Sequence, residues 1–406
     1  MRRSWGGGRV LRKGAMVRLR AGGLLLGWIL FLIKFSGEPM SVSPRLILPL
    51  LAALLLSVGP GAAQQAASGT QAAPLKAQEG PASTLHKRQG PPVRTINLDV
   101  VVTRKDGKPV SGLQAKDLTL LDNKTPLPIT SFKAYEGEQA PVEVLLLIDS
   151  VNTDFNILAQ MRIEIDRYLL ANGGQLARPL ALGVLDEQGG IKMQRTYTRD
   201  GKVLAKSLDT LDIGLRDVGR SAGIEGAGER FDDSMKALRL IAGYESGRPG
   251  RKIVLWVSPG WHMLSGPEID LSSQQEEAIF NEITWFSMAF RDTETTIYAI
   301  NPLGIAESVG QEFYYEEFLD GVKKPGDVNF GNLALQVLAI QSGGLALSSS
   351  DISGLLQQAV EDTQAYYRIS FEPPPTQRRD VYHKLEIKVD QPGVVARTNT
   401  GYYDEP

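Results

Sequence analysis

Four short, nearly unbroken apolar runs constrain this chain more than any other feature. They lie at residues 142–148, 179–185, 253–257 and 296–300. Around them, over 156–170, 203–211, 230–244, 274–290, 333–341 and 352–363, apolar residues recur every three or four positions. A strand wet on one face alternates, whereas a strand apolar at almost every position is covered on both faces. Covered strands alternating with amphipathic helices predict an α/β fold, a doubly wound and mostly parallel sheet with helices on either side. Shorter strands are expected at 192–197 and 345–347. In such sheets ligands bind at the carboxyl ends of the strands. The loops after Ile148, Leu185, Val257 and Ile300 are therefore where a site belongs.

Both flanks of this α/β region, residues 141–363, read as β structure. Residues 95–102 alternate through Ile96, Leu98, Val100 and Val102, and further strands are expected at 118–121 and 129–132. The turn pairs Asp106-Gly107 and Asp122-Asn123 separate them. This segment, 94–136, is too small to build a sandwich core alone. After the last helix, 364–406 carries strands at 366–371, 384–389 and 394–398, divided by Pro373-Pro374-Pro375 and Gln391-Pro392-Gly393. Two arrangements satisfy this pattern. Either the segments complete one immunoglobulin-like β-sandwich with the α/β domain inserted, or they are two independent β units.

The N-terminal region has a different chemistry. Residues 1–63 hold nine Lys/Arg and one acid, a charge of +8, so under a whole-chain charge of −2 residues 64–406 carry −10. Two apolar runs, 24–33 and 46–58, follow positive residues, and Gly61-Ala62-Ala63 follows the second. A positive flank, a short apolar core and small residues predict an export signal cleaved near Ala63. Met40 begins a complete signal by itself and is a candidate true start. Each run is shorter than the roughly 20 residues that span a bilayer; the rival reading keeps the first as a membrane anchor. Residues 64–93, rich in Gln, Ala, Ser, Gly and Pro, predict a disordered linker. The expected location is periplasmic, cell-surface or secreted. An acidic body does not suit a phosphate backbone, so nucleic acid is not an expected partner, nor is an anionic membrane beyond the signal.

Composition narrows the chemistry further. Cysteine is absent, which removes disulfides, thiolate metal sites and cysteine nucleophiles. Only His86, His262 and His383 can supply an imidazole. Gly219-Arg220-Ser221-Ala222-Gly223 matches the formal pattern of a nucleophile elbow, but the residues before Ser221 are polar and no helix is expected immediately after it.

The run Val144-Leu145-Leu146-Leu147-Ile148-Asp149, followed by the segments 251–260 and 296–300 in matching order, resembles the start and later strands of a von Willebrand factor type A domain. More narrowly, the chain is similar to the exported bacterial group described as acidobacterial A-domain-related proteins. The β segment at 98–132, the stretch Tyr366 to Pro374 and the terminal Gly401-Tyr402-Tyr403 carry that likeness, which spans residues 95–403. It implies a Rossmann-like domain with a metal-ion-dependent adhesion site for Mg²⁺ or Mn²⁺. The family's Asp-x-Ser-x-Ser pattern falls on Asp149, Val151 and Thr153. Asp149 fits, Thr153 keeps a hydroxyl, and Val151 has no oxygen to offer. The family's later aspartate falls near Ser258 or Pro259, so that carboxylate is missing. Its threonine belongs before the helix at Arg230, where Ser221 is the hydroxyl at hand, with Asp232 and Asp233 nearby. The resemblance thus implies a reduced oxygen site of Asp149, Asn152, Thr153 and Ser221. A structural reading stands beside it: Asp149, Asn152 and Thr153 are also good turn and helix-cap residues.

Trp261 and His262 follow the third strand on the expected ligand face and are the candidate partner contacts, with packing as the other reading of Trp261 and an ordinary surface position as the other reading of His262. The resulting expectation is an exported, non-catalytic, adhesion-type module that binds a protein ligand, with or without a cation. The alternative is an exported serine hydrolase using Ser221.

Overall fold

The computed structural model describes residues 94–186, 189–194, 196–210, 223–261, 270–303, 314–376 and 378–405. Residues 1–93, where the export signal and linker are expected, lie outside the described residues, as do Ser221 and His262.

Strand β5 (Val142–Asp149) shows why an unbroken apolar run is needed. Val144, Leu146 and Ile148 enter one apolar cluster, and Leu145 and Leu147 enter another on the opposite face of the sheet. All five are essentially inaccessible to solvent. Fully burying a side chain of this kind contributes about 1.5–3 kcal/mol. β5 pairs in parallel with β6 (Gln175–Leu185) and with β9 (Arg251–Val257), and β9 pairs with β10 (Thr295–Asn301), which pairs with β11 (Ala346–Ser348). Short antiparallel strands β7 (Ile191–Met193) and β8 (Thr198–Asp200) close the other edge on β6. The sheet order is β11-β10-β9-β5-β6-β7.

Helices cover both faces. α1 (Phe155–Leu170), α2 (Gly201–Thr210) and α6 (Ile352–Glu361) supply Met161, Ile165, Leu204, Leu208 and Leu356 to the first cluster. On the other side lie α3 (Gly223–Glu245), α4 (Ser273–Asp292) and α5 (Leu335–Gln341), with Phe231, Leu238, Phe280, Phe286 and Leu338 in the second. The start of α4 is legible in its sequence. The Ser272 side chain accepts from the Gln275 backbone N–H while the Gln275 side chain accepts from the Ser272 N–H, a reciprocal cap. The start of α3 is not. It begins seven residues before Arg230, because Gly223, Gly226 and two glutamates hide the apolar period of its first turns.

The flanking β segments pair with each other. β1 (Ile96–Arg104) lies antiparallel between β12 (Ala365–Phe371) and β14 (Val394–Arg397), and β4 (Ser131–Glu136) forms the edge beyond β12. A second antiparallel sheet has the order β15 (Gly401–Tyr403), β13 (Tyr382–Val389), β2 (Leu118–Asp122), β3 (Thr125–Leu127). Leu98, Val100, Ile369 and Phe371 of the first sheet share one apolar core with Leu118, Leu120, Leu385 and Tyr402 of the second. The α/β region is therefore inserted between β4 and β12. Those two strands pair with Ala365 opposite Glu136, which sets the inbound and outbound crossings side by side.

Candidate functional site

Asp149 ends β5 and is completely buried. Five donors converge on its carboxylate. Oδ1 accepts from the backbone N–H of Val151 at 3.0 Å and of Asn152 at 2.9 Å. Oδ2 accepts from Asn152 Nδ2 at 2.9 Å, Ser258 Oγ at 2.8 Å and the Trp256 indole Nε1 at 3.2 Å. The turn that follows is thereby wound tightly around its first residue. Ser150 Oγ donates to the Leu185 carbonyl at 2.5 Å, fastening the same turn to β6. Asn152 Nδ2 also donates to Ser234 Oγ on α3 at 3.0 Å, and Ser234 Oγ donates on to the Arg230 carbonyl. Asn152 Oδ1 is buried with no hydrogen-bond partner among the described residues.

These donors decide whether the residues present fit a cation. An ionised carboxylate offers about four lone-pair positions, and here five N–H and O–H groups point at them. Mg²⁺ needs several oxygen lone pairs at near-ideal octahedral positions around it. A hydroxyl can rotate and an amide can turn over, but an indole N–H and a backbone N–H only donate. The indole and two backbone amides therefore cannot be turned into ligands. As arranged here, with the Ser258 hydroxyl and the Asn152 amide turned toward Asp149, donors take up the lone pairs of the carboxylate and leave a divalent cation no direct ligand there. Among the described residues, no three Asp, Glu or His side chains are placed to hold a metal.

The sequence-derived residues fare unequally. Asp149, Asn152 and Thr153 come together in one buried turn. Ser258, at the position where the family carboxylate is missing, does reach Asp149, as a hydroxyl donor. Ser234 of α3 is the hydroxyl that meets Asn152. Trp261 takes the packing role rather than that of an exposed partner contact. It is 3% exposed, packs edge-on against Trp256 with ring centroids 5.7 Å apart, and donates from Nε1 to the Leu333 carbonyl at 3.1 Å. A large apolar ring whose single polar atom finds a backbone acceptor belongs in the core.

Two features escaped the sequence reading. Trp256 sits in an apolar run and looks like core alone; its indole reaches Asp149 only because the sheet register sets it opposite Leu147. Phe155, the first residue of α1, is 58% exposed, directly after the buried turn. In the sequence it reads as one more apolar residue near a helix start. Asp186 after β6 and Asp232 and Asp233 of α3 form an acidic group. Burial raises the Asp233 carboxyl above its usual range against the pull of Lys236, and Asp232, Asp186 and Glu229 push it the same way. Gly189 (φ +65°) lies against this group. A Cβ there would come within 2.8 Å of Asp233 Oδ1, so the turn after β6 needs glycine to approach α3.

No protein-family model matches this sequence, and no curated protein matches it. Among solved structures, the chain is similar to an aerotolerance-related membrane protein from Bacteroides fragilis, with 10% identity over 55% of this chain and 98% of that one, at a TM-score of 0.30. BatB from Bacteroides thetaiotaomicron gives 12% identity over 55% and 98% of the two chains, also at 0.30. The manganese-loaded TRAP protein of Plasmodium vivax gives 8% identity over 66% and 96%, at 0.31. Likeness at this level assigns neither family nor activity.

Proposed function

We propose that this protein is an exported, non-catalytic binding module of von Willebrand factor A type, with an immunoglobulin-like sandwich built from its two flanking segments. It takes a protein partner at the carboxyl ends of its central strands, and it does so without a cation. One observation carries the reading. The carboxylate that would hold a metal is spent instead on rigidifying the 149–154 turn, which presents Phe155 to solvent at its end. Holding a large exposed aromatic on a pre-ordered turn lowers the entropy lost when a partner docks, and aromatic residues are frequent anchors of binding energy. The acidic group Asp186, Asp232 and Asp233, on the turn after β6 and on α3, adds polar rim rather than affinity. The positive flank, short apolar run and small residues within 1–63, read as an export signal, support a location outside the cytoplasm.

The hydrolase alternative needs a base for Ser221. His383 is engaged elsewhere, with Nδ1 against Asp122 Oδ1 at 2.8 Å, Nε2 against Asp404 Oδ2 at 3.2 Å, and its ring stacked on Tyr402. That leaves His262 and, in the expected linker, His86.

The test is a photo-crosslinking residue at position 155, compared with one at Val395, which is 59% exposed on the sandwich. A discrete protein adduct from position 155, unchanged by chelator and missing from position 395, is expected. No adduct from 155, or an adduct that chelator removes, contradicts the proposal. Stoichiometric labelling of Ser221 by a serine-reactive phosphonate contradicts its non-catalytic part.

A further inference from the structure

Arg178 lies near the start of β6 and is 3% exposed. Its guanidinium has five N–H groups, and each has an acceptor. Nη2 donates to the Gly137 carbonyl at 2.7 Å and the Thr363 carbonyl at 2.5 Å. Nη1 donates to the carbonyls of Glu138 at 3.0 Å and Ala140 at 3.2 Å, and Nε to Thr363 Oγ1 at 3.0 Å. Gly137, Glu138 and Ala140 form the inbound crossing from the sandwich, and Thr363 belongs to the outbound one. One side chain of the inserted unit therefore holds both crossings at once. Lysine, with three donors on a point charge, cannot reproduce this planar fork.

The neighbouring residue extends the tie. Asp362 Oδ2 accepts from Tyr298 of β10 at 2.6 Å and from Arg397 of β14 at 2.6 Å, and its carbonyl accepts from Arg251 of β9 at 3.2 Å. Arg397 belongs to the sandwich, while Tyr298 and Arg251 belong to the central sheet. Arg251 also lies over the Tyr366 ring of β12 at 4.9 Å. Asp362 and Thr363 thus join the end of α6, three central strands and the sandwich within two residues.

We infer that Arg178, with Asp362 and Thr363, is a conformational tie that makes the inserted α/β unit and the β-sandwich open as one body. Apolar contacts of Val101, Tyr366 and Tyr403 and the Arg368–Glu294 ion pair also join the two units, and the saturated arginine fixes the crossings between them. The tie sits at the amino ends of the central strands, whereas Asp149 sits at a carboxyl end. Anything bound near Asp149 is therefore held at a fixed orientation to the sandwich.

Native-state hydrogen exchange on the full chain, at low urea, tests this. In the wild type the slowest amides of β9 and β10 and those of β1 and β12 should share one opening constant within about threefold. Arg178→Lys and the milder Thr363→Val, which removes the hydroxyl that accepts from Arg178 Nε and donates to the Val360 carbonyl, should separate the two groups by roughly tenfold or more. Two separate opening constants in the wild type overturn the inference. So does coincidence that survives in Thr363→Val and, where it folds, in Arg178→Lys.

Discussion

Asp149→Ala is the sharpest perturbation of the site. It removes one buried acceptor and strands the donors that surround it. Asn152 Nδ2 keeps Ser234 Oγ, and Ser258 Oγ still accepts from the Gly260 N–H. The Trp256 indole and the N–H groups of Val151 and Asn152 lose their partner inside the protein. A buried donor left unpaired costs roughly 1–3 kcal/mol. Since the three share one relaxing turn, their costs do not add fully, and a loss of about 3–5 kcal/mol is expected. At about 2–4 °C per kcal/mol for a chain of this size, that is a fall in Tm of roughly 10 °C. Thermal unfolding followed by tryptophan fluorescence measures it, in chelator and again with millimolar Mg²⁺. The drop should be the same in both. A variant as stable as the wild type refutes the reasoning, because the donors then have other partners. A drop that appears only with Mg²⁺ refutes it equally, since the carboxylate would then be acting as a metal ligand.

Two further outcomes follow from the same geometry. Trp261→Phe should lower stability by about 1–2 kcal/mol through its lost bond to Leu333 and lost packing, measured by urea unfolding; an unchanged midpoint would return Trp261 to the surface. Glu245 has its carboxyl raised above the usual range by burial, with Arg248 pulling it down. A carboxyl raised in the folded state is favoured as the anion by the unfolded chain, so it weakens folding above its folded pKa, and this is relieved as pH falls toward the ordinary glutamate value. The stability of Glu245→Gln relative to the wild type should therefore be greater at pH 7 than at pH 4. A difference that is constant, or greater at pH 4, refutes this.

Much of the fold could be read before any coordinates because burial on both faces leaves a mark in one dimension. Residues 144–148 admit no polar side chain, and the register β5 to β9 explains why. The helices covering them carry the 3.6-residue period, except where the glycines of α3 interrupt it. Pairing of β1 with β12, some 270 positions apart, leaves no local mark; the alternating pattern shows that each strand is half-buried but not against what. The site was legible to the same limit. Asp149, Asn152 and Thr153 are neighbours in sequence, so their meeting is a local event. Trp256, Ser258 and Ser234 reach them through sheet register and helix packing. What those residues bring is hydrogen rather than lone pairs, and that decides the chemistry of the site. For Trp261 the sequence leaves packing and partner contact both open, because a position after a strand end suggests a loop. The chain there turns inward, and the indole finds the Leu333 carbonyl in the interior.

The central claim is that five protein donors, and no cation, complete Asp149. The Trp256 indole N–H, 3.2 Å from the carboxylate, is its natural reporter. The measurement is the indole region of a proton–nitrogen correlation spectrum of residues 64–406, which hold three tryptophans, assigned through Trp256→Phe and titrated with paramagnetic Mn²⁺. The account predicts that the Trp256 signal persists at stoichiometric Mn²⁺. Its selective disappearance at one equivalent, reversed by chelator, would contradict the account and place a metal on Asp149.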